Sequence, residues 1–171
     1  MKSLRLIYTL FLSMIIMSCS SDDVNNDASE GPEFQATING GTFSNYSFKL
    51  GVYDVVKGTN GTTLKIIMAD KNGKQITLFL NSSGGFKSGA VKQMGDVDSD
   101  KFRTYVEIKD NQPSAQYFSQ SGSLKITNNR EHPSNSQKSL ISAEFNIVAS
   151  TVDGKTSITM KGSFNDLEFV K

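Results

Sequence analysis

Asp96, Asp98 and Asp100 stand at every second position, and Glu107 follows eleven residues after the first; this is the strongest metal-binding pattern in the chain. Calcium takes several carboxylate oxygens, and D-x-D-x-D with a later glutamate reproduces part of an EF-hand loop's ligand spacing. Lys101 occupies the position where such a loop needs glycine, and the flanking residues alternate as strands do. These departures make a solvated acidic turn, with no bound cofactor, the expectation and calcium the alternative. Glu107 and Glu144 are the carboxylates that a glycoside hydrolase mechanism would need as acid and base. Both sit in the polar phase of apolar-alternating segments, which places them on a wet sheet face. His132 is the only histidine, lies in the polar stretch Asn128 to Lys138, and has no second imidazole or nearby thiolate with which to hold zinc. No G-x-S-x-G elbow accompanies the many serines, so no catalytic site is expected.

Cys19 is the one residue with a definite chemistry. It is the only cysteine, preceded by Lys2 and Arg5 and by a mainly apolar run from Leu6 to Met17. A helix needs about 20 residues to cross a hydrocarbon core, so this run is a signal peptide rather than a permanent span. Ile16-Met17-Ser18-Cys19 resembles the lipobox of bacterial lipoproteins. It implies cleavage after Ser18 and acylation of Cys19, an anchor that consumes the lone thiol. Ser20, rather than aspartate, follows the cysteine, so the usual inner-membrane retention signal is not in its place. Ser21-Asp22-Asp23 resembles the export signal of surface lipoproteins from Bacteroidota-type bacteria, with Val24 where a further acid often stands. The expected location is the outer membrane, lipid-anchored, with exposure at the cell surface.

Losing Lys2 and Arg5 with the leader reduces the 18 basic side chains to 16, against 17 acidic ones. That balance argues against nucleic acid as a partner. Ser20 to Glu33 holds Asp22, Asp23, Asp27, Glu30 and Glu33, no lysine or arginine, and only Val24 as a large apolar residue. Such a segment buries too little to offset its ordering entropy, so residues 19–33 are expected to form a flexible tether of roughly 20 Å. Residues 34–171 then form a single domain.

Period-two alternation runs through that domain. Phe34, Ala36 and Ile38 lead to Asn39-Gly40-Gly41, and Tyr46, Phe48, Leu50 and Val52 follow. Leu64, Ile66 and Met68 reach Asn72-Gly73, a pair suited to a type I′ turn, and Ile76, Leu78 and Leu80 run back. Phe102, Thr104, Val106 and Ile108 make another strand, and Leu124 and Ile126 a shorter one. Ile141 to Ala149 and Ile158 to Phe164 flank Asp153-Gly154 as a second hairpin. Helix is confined to a turn or two near Ser114 to Ser119. The opposite phase is polar, as at Lys65, Thr77, Arg103 and Asn146, with Ile67, Phe79 and Tyr105 as exceptions. The pattern predicts an all-β domain of about eight strands, an antiparallel β-sandwich or a flattened barrel.

Phe34 to Gly40 reads F-x-A-x-I-N-G, and Ile158 to Phe164 reads I-T-x-x-G-x-F, with Gly122-Ser123-Leu124-Lys125-Ile126-Thr127 and Ile141-Ser142-Ala143-Glu144-Phe145 between them. In this order the segments resemble a family of small Bacteroidota-type surface lipoproteins of uncharacterised function. Ala143 replaces an expected glycine and Phe43 an expected tryptophan. The resemblance implies a β fold and a surface location, but no activity.

Three function classes follow. A tethered binding or interaction module would meet a protein or glycan partner through loop aromatics such as Phe86, Tyr117 and Phe118, although burial as loop anchors is the stronger expectation for these rings. A carrier would hold a small apolar ligand inside a barrel. A hydrolase is disfavoured by the missing catalytic groups. The binding module is the expectation, in a monomeric protein that meets the membrane through the lipid on Cys19.

Overall fold

The computed structural model describes residues 31–171. Ten strands form one sheet: β1 (Glu33–Gly40), β2 (Phe43–Lys49), β3 (Val52–Lys57), β4 (Leu64–Ala69), β5 (Gln75–Leu80), β6 (Val91–Gln93), β7 (Tyr105–Asn111), β8 (Ser114–His132), β9 (Asn135–Ser150) and β10 (Ser157–Val170). A single 3-10 turn, Thr59–Gly61, separates β3 from β4. The strand order is β2-β1-β10-β9-β8-β7-β5-β4-β3, with β6 added to β8. Every pairing is antiparallel.

The two edge strands of that path, β2 and β3, are consecutive in the chain. Leu50 N–H bonds to Phe34 of β1, and Gly51 N–H bonds to Ala69 of β4. The sheet must therefore curl on itself, and it forms a half-barrel rather than two stacked sheets. Its concave side carries the alternating apolar residues. Ile38, Phe48, Ile66, Met68, Ile76, Leu78, Val106, Leu124, Ile147, Met160 and Phe164 are all essentially inaccessible to solvent. Phe34 centres an aromatic cluster, edge-on to Phe48 at 5.4 Å and stacked on Phe145 at 5.5 Å. Residues 31–171 form one compact unit that contains all ten described strands and their core, which is what independent folding requires.

Alternation of direction gathers the short turns after β1, β4, β7 and β9 at one end, the turn end. The connections after β3, β5 and β8 and the terminal Lys171 lie at the other, the loop end.

Several local expectations are corrected. Ser114 to Ser119 is not helical but opens β8, where it pairs with β7; Tyr117 alternates with Ala115 and Ser119 and so fills the core rather than a helix face. The stretch Asn128 to Lys138 is not a loop but the hairpin of β8 and β9, turning at Pro133-Ser134. Val52 was expected to face inward and is 68% exposed. The chain changes partner from β1 to β4 at Leu50-Gly51, and beyond this point Tyr53 and Val55 take the inward phase. Phe102 likewise lies outside the strand, which starts at Tyr105, and its ring packs against Phe79 on the convex face. Thr77, expected to be wet, is buried on that convex face between Ile67 and Glu107. Asn72-Gly73 does not form a type I′ turn, since only Gly73 has positive φ. Asp70 accepts from the N–H groups of Asn72 and Lys74 at 2.8 and 3.0 Å, which holds Asn72 in a right-handed conformation and leaves the left-handed one to glycine.

Candidate functional site

The acidic triplet lies in the long β5–β7 connection at the loop end, bounded by a Val97–Arg103 bridge. Its centre is Asp98. The carboxylate accepts from Ser82 N–H at 3.1 Å, Ser82 Oγ at 3.0 Å, Asp100 N–H at 3.0 Å and Phe102 N–H at 2.9 Å. Desolvation works to raise the Asp98 carboxyl, but these donors outweigh it and hold it below the usual carboxylate range. Asp98 therefore acts as a loop staple. The structure does not bring Asp96, Asp98 and Asp100 together around a common point, and among the described residues no three His, Cys, Asp or Glu side chains gather as a metal site.

Lys92 organises the same loop from below. It is 2% exposed, donates to Asn81 C=O at 2.8 Å and Ser83 C=O at 2.5 Å, and stands over the Phe86 ring at 4.5 Å. Burial pushes its ammonium below the ordinary lysine range, against the pull of Asp98. Asn81 completes the arrangement by donating to Asp96 C=O and Phe102 C=O, each at 2.9 Å. Phe86, a candidate ligand contact, is thus largely committed to covering Lys92, with a half-buried ring.

A second buried charge cluster closes the turn end. Lys74, in the turn just before β5, bonds to Asp110 of β7 at 2.5 Å, and the Asp110 side chain is 1% exposed. Thr42 Oγ1 and Gln112 N–H also donate to Asp110, at 2.9 and 3.2 Å. Desolvation raises the Asp110 carboxyl, but the Lys74 bond and these donors prevail and depress it. The Lys74 ammonium lies between the Phe43 and Tyr46 rings, 5.3 and 5.1 Å from their centroids. Tyr46 in turn donates to Asp70, and its phenol is raised by burial and by that carboxylate.

Tyr117 belongs to this cluster and is not a surface ligand contact. It is 1% exposed, packs on Phe43 at 5.9 Å, and its hydroxyl bonds to Thr42. Only the phenolic tip finds polar company, so the ring is a core side chain with a satisfied hydroxyl. Phe118, one residue on, takes the opposite face and is half-buried outside, beside Glu107.

Glu107 accepts from Gln116 and pairs with Lys109 at 3.1 Å, while Glu144 faces Lys125 at 3.6 Å. Their β8 neighbours are Phe118 and Lys125. Seven residues of strand, roughly 20 Å, separate those neighbours, so the two carboxylates do not flank one bond. His132 accepts from Ser134 N–H at Nδ1, 3.2 Å, and faces Glu168 through Nε2, also 3.2 Å. Cys19, Ser21, Asp22 and Asp23 lie outside the described residues.

The concavities open outward. One groove of about 520 Å³ runs between β3 and the end of β10, with Val55, Val56, Lys57, Val170 and Lys171 on its walls. Another, of about 450 Å³, crosses the convex face of β8, β9 and β10 over Ser123, Asn146 and Ser163, flanked by Lys125, Glu144 and Lys161. Between β4 and β7 the convex face carries an aromatic strip, with Phe79 stacked on Tyr105 at 5.3 Å and Phe102 tilted against Phe79 at 6.1 Å. No family model, curated protein or solved structure matches the chain.

Proposed function

We propose that this chain is a lipid-anchored cell-envelope protein of the Bacteroidota-type surface lipoproteins that it resembles, held at the outer membrane by acylated Cys19 and displaying a non-catalytic binding module for a protein or glycan partner. The observation that carries the binding reading is the filled concave side of the sheet. Phe34, Phe48, Phe145 and Phe164 occupy the place where a carrier would hold its ligand, so partners meet the domain on its outer surface. The chemistry at His132, Glu107 and Glu144 supports the same reading, because each is committed to an ion pair or a backbone contact.

Two measurements test the two halves. Titrating residues 31–171 with a fluorescent fatty-acid probe should give no saturable signal. One-to-one uptake would instead establish the carrier. Cys19→Ser in cells should move the protein from the membrane to the soluble fraction with an unchanged melting temperature, because all ten described strands are built from residues 33–170. Membrane retention of that variant would overturn the anchor.

A further inference from the structure

The groove between β3 and β10 is a place where the sheet stops pairing. β3 is laddered to β4 on one side only. β10 is laddered to β1 as far as Asn165 and then, after a bulge at Asn165-Asp166, keeps only its β9 partner through Leu167 to Val170. Two half-paired edges therefore lie beside each other without a ladder between them. The contact that does cross is a side chain: Glu168 N–H donates to the Tyr53 hydroxyl at 3.3 Å. A backbone donor on a strand edge is thus satisfied by a phenol in the position that a neighbouring strand's carbonyl would fill.

The walls of this seam also have a definite chemistry. Val56 and Val170 are 49% and 62% exposed, an apolar pair on the outward phase of the two strands. Lys57 and Lys171 stand at its loop end; Lys171 is already bound to Glu131 at 2.5 Å, whereas Lys57 has no carboxylate partner among the described residues. Unpaired backbone calls for an extended segment, the valines call for an apolar side chain on it, and the Lys57 ammonium calls for a carboxylate.

We propose that the β3–β10 seam is a strand-acceptor site for an extended peptide of a partner protein, apolar at alternate positions and acidic where it passes Lys57. The peptide's carbonyl takes over the Glu168 N–H from Tyr53. This deepens the binding-module reading and rests on it.

A random decapeptide library displayed on phage and panned against residues 31–171 tests the site. Enriched peptides should alternate apolar residues and carry Asp or Glu. They should bind about tenfold more weakly to Val56→Asp and to Lys57→Glu, and equally well to Val152→Asp, which alters an exposed valine at the turn end. Added to ¹⁵N-labelled domain, the best of them should shift the Glu168 and Val170 amide resonances. Binding that ignores the seam substitutions, or shifts confined to another face, would overturn the site while leaving a binding module. No enrichment would overturn the peptide as occupant. A concentration-dependent dimer abolished by Val56→Asp would assign the seam to a second copy of the chain and overturn it equally.

Discussion

Gly162→Ala should cost this domain more than about 4 kcal/mol and lower its melting temperature by at least about 10 °C. Gly162 sits in β10 between Ala36 of β1 and Phe145 of β9, in the inward phase shared with Met160 and Phe164. A Cβ at that position would lie 2.2 Å from Gln35 C=O, 2.8 Å from Ala36 Cα and 2.9 Å from Ala36 Cβ. The nearest two are backbone atoms of the neighbouring strand, so relief requires moving β1 away from β10. That opens the sheet beside the Phe34 cluster, where packing tolerates little displacement. Gly31→Ala is the control, because nothing lies within 4 Å of its added carbon. Chemical and thermal denaturation of both variants decide the matter: a Gly162→Ala domain melting within about 2 °C of the native one would show that β1 yields easily.

Asp110→Asn should be nearly as damaging, at about 3 kcal/mol. It leaves the Lys74 ammonium, itself only 15% exposed, without its charge partner at the turn end. Removing both charges is a different matter. Lys74→Met with Asp110→Leu exchanges a desolvated ion pair for apolar volume among Phe43, Tyr46 and Tyr117, and should recover most of the loss. Urea melts of the two single variants and the double measure the coupling directly, and additive losses would refute it. The same pair sets an acid limit. Because folding depresses the Asp110 carboxyl, its contribution is complete above the unfolded value of about 3.9 and disappears as pH falls through the lower folded value. The stability gap between native protein and Asp110→Asn should therefore be constant from pH 7 to about 5 and narrow below about 4. A gap that persists unchanged at pH 2 would mean that the carboxylate charge is not what Lys74 needs.

Both residues could have been found by phase. Asp110 continues the inward alternation of Val106 and Ile108, Lys74 that of Ile76, Leu78 and Leu80, and Asp70 that of Leu64, Ile66 and Met68. Three charged residues extending apolar phases at strand ends announce a polar plug on the core side of the sheet. Lys92 gives the same sign between Ala90 and Met94. By contrast, Tyr117 and Phe118 are adjacent rings in a Ser/Gln-rich stretch, with too few apolar neighbours to say which ring faces inward. Only the pairing of β8 with β7 settles that Tyr117 fills the core and Phe118 does not.

Phase also explains where reading along the chain must fail. Alternation carries a strand only as far as its register holds, and this sheet breaks register at Leu50-Gly51, at Asn165-Asp166 and within β8 between Ser119 and Ser121 and between Ile126 and Asn128. Each break reverses or shifts the inward phase, because side chains repeat every two residues. Val52 emerged from one such break, and Leu167 and Phe169 went inward after another.

The all-β class, the antiparallel hairpins around Asp70 to Lys74 and Asp153-Gly154, and most of the core were legible in residue order, since these follow from local alternation and turn chemistry. Long-range pairing, by contrast, divided one run of chain between β1 and β4 as β2 and β3, curled the sheet rather than stacking it, and left β3 beside β10 without a ladder. Those outcomes depend on which distant backbone groups satisfy one another, a choice that hydrogen-bond register makes and that residue order does not display.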